Sequence, residues 1–242
     1  MNLVIDIGNT QIKTAIFDGG SLIHRENFPN DLLLDMIRMW KSKFSLRRGI
    51  LSHVSRIDDS VISELNEMIE VLVLDHTLRL PFTNLYGTPH TLGVDRLALA
   101  AGAVNKYPGK NVLAIDAGSC ITFDFLNSKS EYLGGAISPG IEMRYKAVNA
   151  FTANLPLLSP EVQIPSQGNS TENAIHRGIL NGVVNEIDGT IAQYREENLN
   201  LTVVLTGGDA NFLANNIKSS IFAIPNFLLE GLNSILIHNI EE

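Results

Sequence analysis

The feature that most constrains this chain is a pattern that occurs twice. "LVIDIGNTQIKTAIF", residues 3–17, begins as a run of apolar β-formers, closes on Asp-x-Gly with small hydrogen-bonding residues after it, and then resumes as a second β-rich run. "LAIDAGSCITFDFL", residues 113–126, does the same. A strand that ends on Asp and Gly turns sharply and hands the chain to a neighbouring strand. Two such units within 242 residues predict an α/β fold of two similar halves, at a length that suits two domains of about 120 residues.

The rest of the hydrophobic periodicity agrees. Strands are predicted at 3–7, 12–17 and 21–28, the last two joined by the Gly19-Gly20 turn. A helix at 32–43 follows with Asn30 and Asp31 as capping candidates, then a strand at 50–54, a helix at 59–68 and a strand at 71–74. The second half predicts a helix at 94–106, strands at 112–115, 121–126 and 132–137, and helices at 141–148 and 172–196. A strand at 201–206, a helix at 211–216, a strand at 221–223 and a closing amphipathic helix at 226–238 complete it. The Pro/Gly/Thr-rich "PFTNLYGTPHT" suggests a boundary near residues 76–92, so the halves are expected as 1–90 and 91–242.

Composition narrows the function. With 45% hydrophobic and 18% charged residues the chain is globular rather than disordered. A net charge of −8 and no basic cluster longer than the Arg47-Arg48 pair argue against nucleic acid. The single Cys120 permits no internal disulfide and suits a reducing compartment. No apolar run approaches the roughly 18 residues of a membrane span, and the start lacks a secretory pattern, so a soluble cytoplasmic protein with no membrane partner is expected.

The repeated turn has a chemical reading. In Asp6-Ile7-Gly8-Asn9-Thr10 the glycine lets backbone N–H groups and the Asn9 and Thr10 side chains converge on an anion. Asp6 cannot bind that anion itself, but it suits a cation lying between, because a carboxylate is a hard ligand for Mg²⁺, which also takes phosphate oxygens and waters. Lys13 can reach a phosphate as a point charge. Asp116-Ala117-Gly118-Ser119 offers the same carboxylate and small donor in the second half, and two such turns across a cleft would hold a polyphosphate and its cation from both sides. These residue types also suit ordinary hairpin turns; the duplication is what favours phosphate. Neither a Walker A pattern nor Gly-x-Gly-x-x-Gly occurs. "TGGDA", residues 206–210, is a third place where backbone could approach a nucleotide.

"GVDR", residues 93–96, sets Asp95 and Arg96 at the start of a helix, between the two turns in sequence. An Asp there is favoured by the helix dipole, and it could also accept the proton of an attacking hydroxyl while Arg96 orients an anionic acceptor. Gly134-Gly135 inside a strand, followed by Pro139-Gly140, marks close backbone approach, to a ligand or a partner chain.

Taken in order, Asp6-x-Gly-Asn-Thr, Gly93-x-Asp-Arg, Asp116-x-Gly-Ser, Gly134-Gly-x-Ile-x-Pro-Gly and Thr171-x-x-Ala-Ile resemble the type III pantothenate kinases, from the first strand to the last helix. The resemblance implies the duplicated ribonuclease-H-like fold of the actin, sugar kinase and Hsp70 superfamily, a homodimer, and transfer of the ATP γ-phosphoryl group to pantothenate, the first step of coenzyme A synthesis. It implies ATP contacts at Asp6, Ile7, Gly8, Asn9, Thr10, Gln11, Ile12, Lys13 and Ser119, and Asp95 as catalytic base. It implies a monovalent cation, K⁺ or NH₄⁺, on Asp116, beside the Mg²⁺ that accompanies ATP. Pantothenate contacts fall on Tyr86, Gly93, Val94, Asp95, Arg96 and Thr171, the last reaching across the dimer. Ser119 stands where the family usually has Thr, keeping the hydroxyl, and Cys120 replaces a commonly small residue. A transcriptional accessory factor on the same fold is the alternative from another class; it would be favoured by loss of Asp95 or Asp116, and both are present. A sugar or acetate kinase is usually longer. The apolar spacing Ala174, Ile175, Ile179, Val183, Ile187 and Ile191 could bury against a twin helix, or serve as intramolecular core.

Overall fold

The computed structural model describes residues 1–8, 11–53, 58–161 and 163–240. In chain order its elements are β1 (Asn2–Ile7), β2 (Ile12–Asp18), β3 (Ser21–Phe28), α1 (Leu33–Lys43), β4 (Arg48–His53), α2 (Asp59–Met68), β5 (Glu70–Val73), β6 (Thr83–Asn84) and α3 (Val94–Lys106). They continue with β7 (Val112–Ala117), β8 (Cys120–Leu126), β9 (Glu131–Pro139), α4 (Ile141–Ala150), α5 (Thr171–Glu197), β10 (Thr202–Thr206), α6 (Ala210–Ala214), β11 (Phe222–Ala223) and α7 (Phe227–Ile240). Two compact units result. Unit 1 holds Met1–Pro108, Ser130–Tyr132 and Asn226–Glu242, and unit 2 holds Gly109–Lys129 and Leu133–Pro225.

In unit 1 the sheet order is β3-β2-β1-β4-β5. The central β1 is antiparallel to β2 and parallel to β4. Its residues from Leu3 onward are buried on both faces, which is why it reads as an apolar run that only Asp6 interrupts. Leu3, Ile5 and Ile7 pack with Ile37 and Trp40 of α1, Leu51 of β4 and Leu65 of α2. Helix α7 lies against β1 and α3. Asn2 Nδ2 donates to Asn233 Oδ1 at 3.0 Å, and Asn233 Nδ2 donates to the Gly19 carbonyl at 2.9 Å, so one buried amide fixes α7 to β1 and to the β2–β3 turn. Burying Leu229, Leu232 and Leu236 on that helix is worth about 1.5–3 kcal/mol per side chain against leaving it in water.

Unit 2 repeats the plan. Its strands run β9-β8-β7-β10-β11, with β7 antiparallel to β8 and parallel to β10, and β10 parallel to β11. One face of this sheet, Leu113, Ile115, Ala117, Ile121, Phe123, Val203 and Leu205, buries against α4 and α5. The short β6 of unit 1 pairs in parallel with the first residues of β9, Glu131 and Tyr132.

Several expectations change here. The division does not follow residues 1–90 and 91–242: α3 and α7 both pack in unit 1. The physical cause is composition, because α3 is buried continuously from Arg96 to Ala103 and needs an apolar helix beside it, which α7 supplies. On α5, Ile175, Ile179, Val183, Ile187 and Ile191 face the core of unit 2, so the stripe is intramolecular; only Ala174 of that set is exposed. Asn30 and Asp31 lie in a 3₁₀ turn, Asn30–Leu32, and α1 is capped by no side chain. The close approach at Gly135 is to the chain's own β8, where a Cβ would overlap the Phe123 carbonyl.

Candidate functional site

Within unit 1, Asp6 sits near the end of the central strand, with Lys13 opposite it on β2 and Ser52 opposite it on β4. Its carboxylate is buried, 6% exposed, and Lys13 Nζ stands 3.9 Å from Oδ2. Burial pushes the Asp6 pKa up; the Lys13 ammonium opposes this, and the negative charge of Asp95 adds to it. The buried Ser52 hydroxyl favours the ionised form, although its oxygen completes no hydrogen bond of normal geometry with a described group. Beyond the strand the Gly8 N–H donates to the Gln11 carbonyl at 3.2 Å and closes the turn. Ile7 and Ile12, at the two strand ends, are core residues, whereas Gln11 is exposed. Asn9 and Thr10, both expected to contact ATP, lie outside the described residues.

Asp95 occupies the first turn of α3. Its Oδ1 accepts the N–H of Arg96 at 2.9 Å, a donor that also reaches the Gly93 carbonyl at 3.1 Å. The carboxylate folds back over Gly93, where a Cβ would overlap Oδ1, so glycine at the cap is a steric requirement of this rotamer. Arg96 is buried, and its guanidinium carbon lies 5.6 Å from the centre of the Tyr86 ring. Tyr86 packs in turn on Tyr132 at 6.1 Å between ring centres, and its N–H donates to Asn84 Oδ1 at 3.0 Å. The fold therefore brings together Asp6, Lys13, Gly93, Val94, Asp95, Arg96 and Tyr86 from three separated stretches of sequence.

Within unit 2, Asp116 near the end of β7 has Thr122 of β8 on one side and Thr206 of β10 on the other. Gly118 and Ser119 form the turn into β8, closed by the Gly118 N–H on the Cys120 carbonyl at 2.9 Å, with Ser119 exposed. The "TGGDA" segment joins the same place. Gly207 adopts φ +98°, and a Cβ there would overlap both Asp116 Oδ1 and the Ala117 carbonyl. The next N–H but one, that of Asp209, donates to the Ala117 carbonyl at 3.0 Å. Burial raises the Asp209 pKa, with the charge of Glu142 adding to it. Thr171 is exposed at the first position of α5, after the Ser170 cap whose Oγ accepts the Asn173 N–H at 3.2 Å. No described hydrogen bond ties it to the Ser119 turn.

Sequence reading missed Thr122 and Asp124. Thr122 Oγ1 donates to Asp124 Oδ2 at 2.8 Å, and both are buried. The signal was available, as two polar side chains at alternate positions of the otherwise apolar "CITFDFL". Among the described residues no three His, Cys, Asp or Glu side chains converge as a metal site, and Asp6 is a single carboxylate of the kind that can hold an ion jointly with a bound phosphate. That is how Mg²⁺ is usually held, by one or two carboxylates together with phosphates.

The family model for type III pantothenate kinases matches residues 2–193. A type III pantothenate kinase of Christiangramia forsetii is 50% identical over 240 residues, covering 99% of each chain. Among solved structures, a Baf family transcriptional activator from Campylobacter jejuni aligns with TM-score 0.65 at 22% identity, covering 98% of each chain. A glucokinase from an Antarctic psychrotroph aligns with TM-score 0.54 at 15% identity, again over 98% of each. At such identities the two structures speak for the fold, and both agree with a duplicated α/β kinase-like architecture.

Proposed function

Since the chain belongs to the type III pantothenate kinase family, it is an ATP-dependent phosphotransferase, and we propose that Asp95 is the base that draws the proton from the pantothenate hydroxyl. The observation that carries this assignment is the Asp95 carboxylate, held at the start of α3 and close enough to Asp6 for its charge to raise the Asp6 pKa. The positive end of the helix dipole favours negative charge at this place, and a positioned carboxylate can take up the proton of an attacking hydroxyl. As the hydroxyl oxygen bonds to the γ-phosphorus, the bond from that phosphorus to the β,γ-bridging oxygen breaks. ADP carries away the electron pair, and the hydroxyl proton passes to Asp95.

The other roles follow from chemistry. Asp6 suits the water shell of Mg²⁺, which neutralises phosphate charge in transfers of this kind, and Lys13 adds a fixed positive charge beside it. Gly8, whose N–H bonds the Gln11 carbonyl, gives the turn its close backbone beside the phosphates, and we assign Asn9, Thr10, Gln11 and Ser119 as donors for phosphate oxygens, with Ile7 and Ile12 as the apolar frame of that turn. Arg96 is a fixed cation for the pantothenate carboxylate, with Tyr86, Gly93 and Val94 as neighbouring surface. Asp116 is the ligand we assign to a monovalent cation, K⁺ or NH₄⁺. Glycine at residue 207, where a Cβ would overlap Asp116 Oδ1, lets the backbone of the TGGDA segment approach that carboxylate closely, which supports a built site around it. Such an ion would offset phosphate charge.

We assign Thr171 to the pantothenate pocket of a second copy of the chain, which makes the working unit a homodimer. No described helix is long and apolar enough to cross a membrane, and we place the enzyme in the cytoplasm. A coupled ATP assay with pantothenate tests the base. Asp95→Asn should lower kcat by about 10²-fold or more while ATP affinity changes little; unchanged kcat overturns the role. Mixing that chain with an inactive Thr171→Arg chain tests the dimer, because heterodimers should regain one working site. Failure to complement in demonstrated heterodimers would show that each chain carries a complete site.

A further inference from the structure

Rows equivalent in the two sheets carry different side chains. In unit 1 the antiparallel partner of Asp6 is Lys13 and its parallel partner is Ser52; in unit 2 the antiparallel partner of Asp116 is Thr122 and its parallel partner is Thr206. Facing residues in such ladders share one side of the sheet, with Cβ atoms about 4.5–5.5 Å apart in the antiparallel pair. The place that an ammonium fills beside Asp6 is therefore flanked beside Asp116 by a hydroxyl. That hydroxyl is not free to turn. Thr122 Oγ1 gives its proton to Asp124 Oδ2 at 2.8 Å in a buried bond, which leaves the oxygen's lone pairs as what it can offer a neighbour. Unit 1 has no counterpart of this device, because the residue in register with Asp124 is Ala15.

We propose that Thr122, oriented by Asp124, is a second protein ligand of the monovalent cation on Asp116, so that the bound ion takes the place that the Lys13 ammonium holds beside Asp6. The proposal rests on the reading of Asp116 as a cation ligand. One carboxylate oxygen with neutral hydroxyl oxygens is a hard, weakly charged set, suited to an ion of single charge. Thr122 would be a ligand and Asp124 a positioning residue, acting on the ion through the hydroxyl it holds.

Thallium(I), which stands in for potassium and is visible by NMR, allows binding to be read without turnover. The full chain saturated with Mg-ADP should bind it saturably, with potassium competing and tetramethylammonium not. Asp116→Asn should abolish binding. Thr122→Val, which keeps the shape and removes the oxygen, should weaken it about tenfold or more, and Thr122→Ser should restore it. Asp124→Asn should weaken it within the roughly 10–100-fold range seen when a supporting partner is altered. Native affinity in both Thr122→Val and Asp124→Asn overturns the inference while leaving Asp116 as the ligand. Native affinity in Asp116→Asn, or no saturable binding by the native chain, overturns the underlying reading as well. Unfolding midpoints in tetramethylammonium chloride identify any variant that fails to fold, and Thr122→Ala then replaces Thr122→Val.

Discussion

The turns after β1 and β7 began from one pattern and now solve different problems. Beside Asp6 the chain supplies its own cation, Lys13 at 3.9 Å, and encloses the carboxylate until burial raises its pKa. Beside Asp116 the corresponding positions carry Thr122 and Thr206, and the closest steric constraint comes from Gly207 on a third segment. Duplication thus preserves the backbone register that aims a carboxylate at the end of a central strand, while the residue across the ladder decides what that carboxylate can hold. An ammonium on a tether is present at all salt concentrations; an ion taken from solution, as proposed for Asp116, would make the second turn responsive to its supply.

The comparison breaks most visibly at the rate of catalysis. Removing the fixed charge as Lys13→Met should lower kcat by about 10²-fold or more, the usual cost of losing one electrostatic contact to a transferring group, and added potassium should not restore it. Restoration by potassium in the steady-state assay would mean that the two turns are interchangeable. Stability comes next. Gly207→Ala forces a Cβ into Asp116 Oδ1 and the Ala117 carbonyl at φ +98°, and should cost more than about 2 kcal/mol in denaturant titrations. Gly118→Ala, in the Asp-x-Gly motif itself, meets nothing within 4 Å and should stay within about 0.5 kcal/mol.

The smallest effect is on pH dependence. Because the folded pKa of Asp6 lies above its unfolded value, the folded state holds the proton more tightly, and stability falls as pH rises from the unfolded pKa through the folded one. Asp6→Asn removes that ionisation, so its unfolding temperature should exceed the native one at pH 7. The gap should close as pH drops below the ordinary carboxylate range, where Asp6 is protonated in both states. A variant less stable than the native chain at pH 7 would mean that the Lys13 attraction outweighs burial.

Much of the candidate site was legible as positions rather than as a constellation. Asp6, Asp95 and Asp116 stand out because each interrupts an apolar run or opens a helix where a charge needs a reason. Their surroundings did not stand out. Ser52 reads as an ordinary residue of a buried strand until register sets it beside Asp6, and Gly207 belongs to a motif whose partner, Asp116, lies far back in the chain. Thr122 and Asp124 sit inside a segment read simply as a strand and are hydrogen-bonded to each other. Strand β4 starts at Arg48, two residues ahead of its apolar segment, because its ladders with Asn2 and Glu70 extend that far and Arg48 Nε bonds Glu70 Oε2 at 3.0 Å.

What the sequence determined alone was local: which segments are strands or helices, where they turn, and that one plan is used twice. Those signals arise from side-chain period and backbone preference within a few residues, so no distant partner is needed to read them. What only the tertiary structure decided was which face meets which. The α5 stripe announced a buried surface without saying that unit 2 would cover it, and the closing helix read as amphipathic without saying that its apolar side returns to β1 and α3. Burial energy depends on apolar area and not on identity, so many pairings satisfy one pattern. Shape, strand register and single buried polar contacts such as Asn2 to Asn233 select among them, and these exist only once segments far apart in sequence have met.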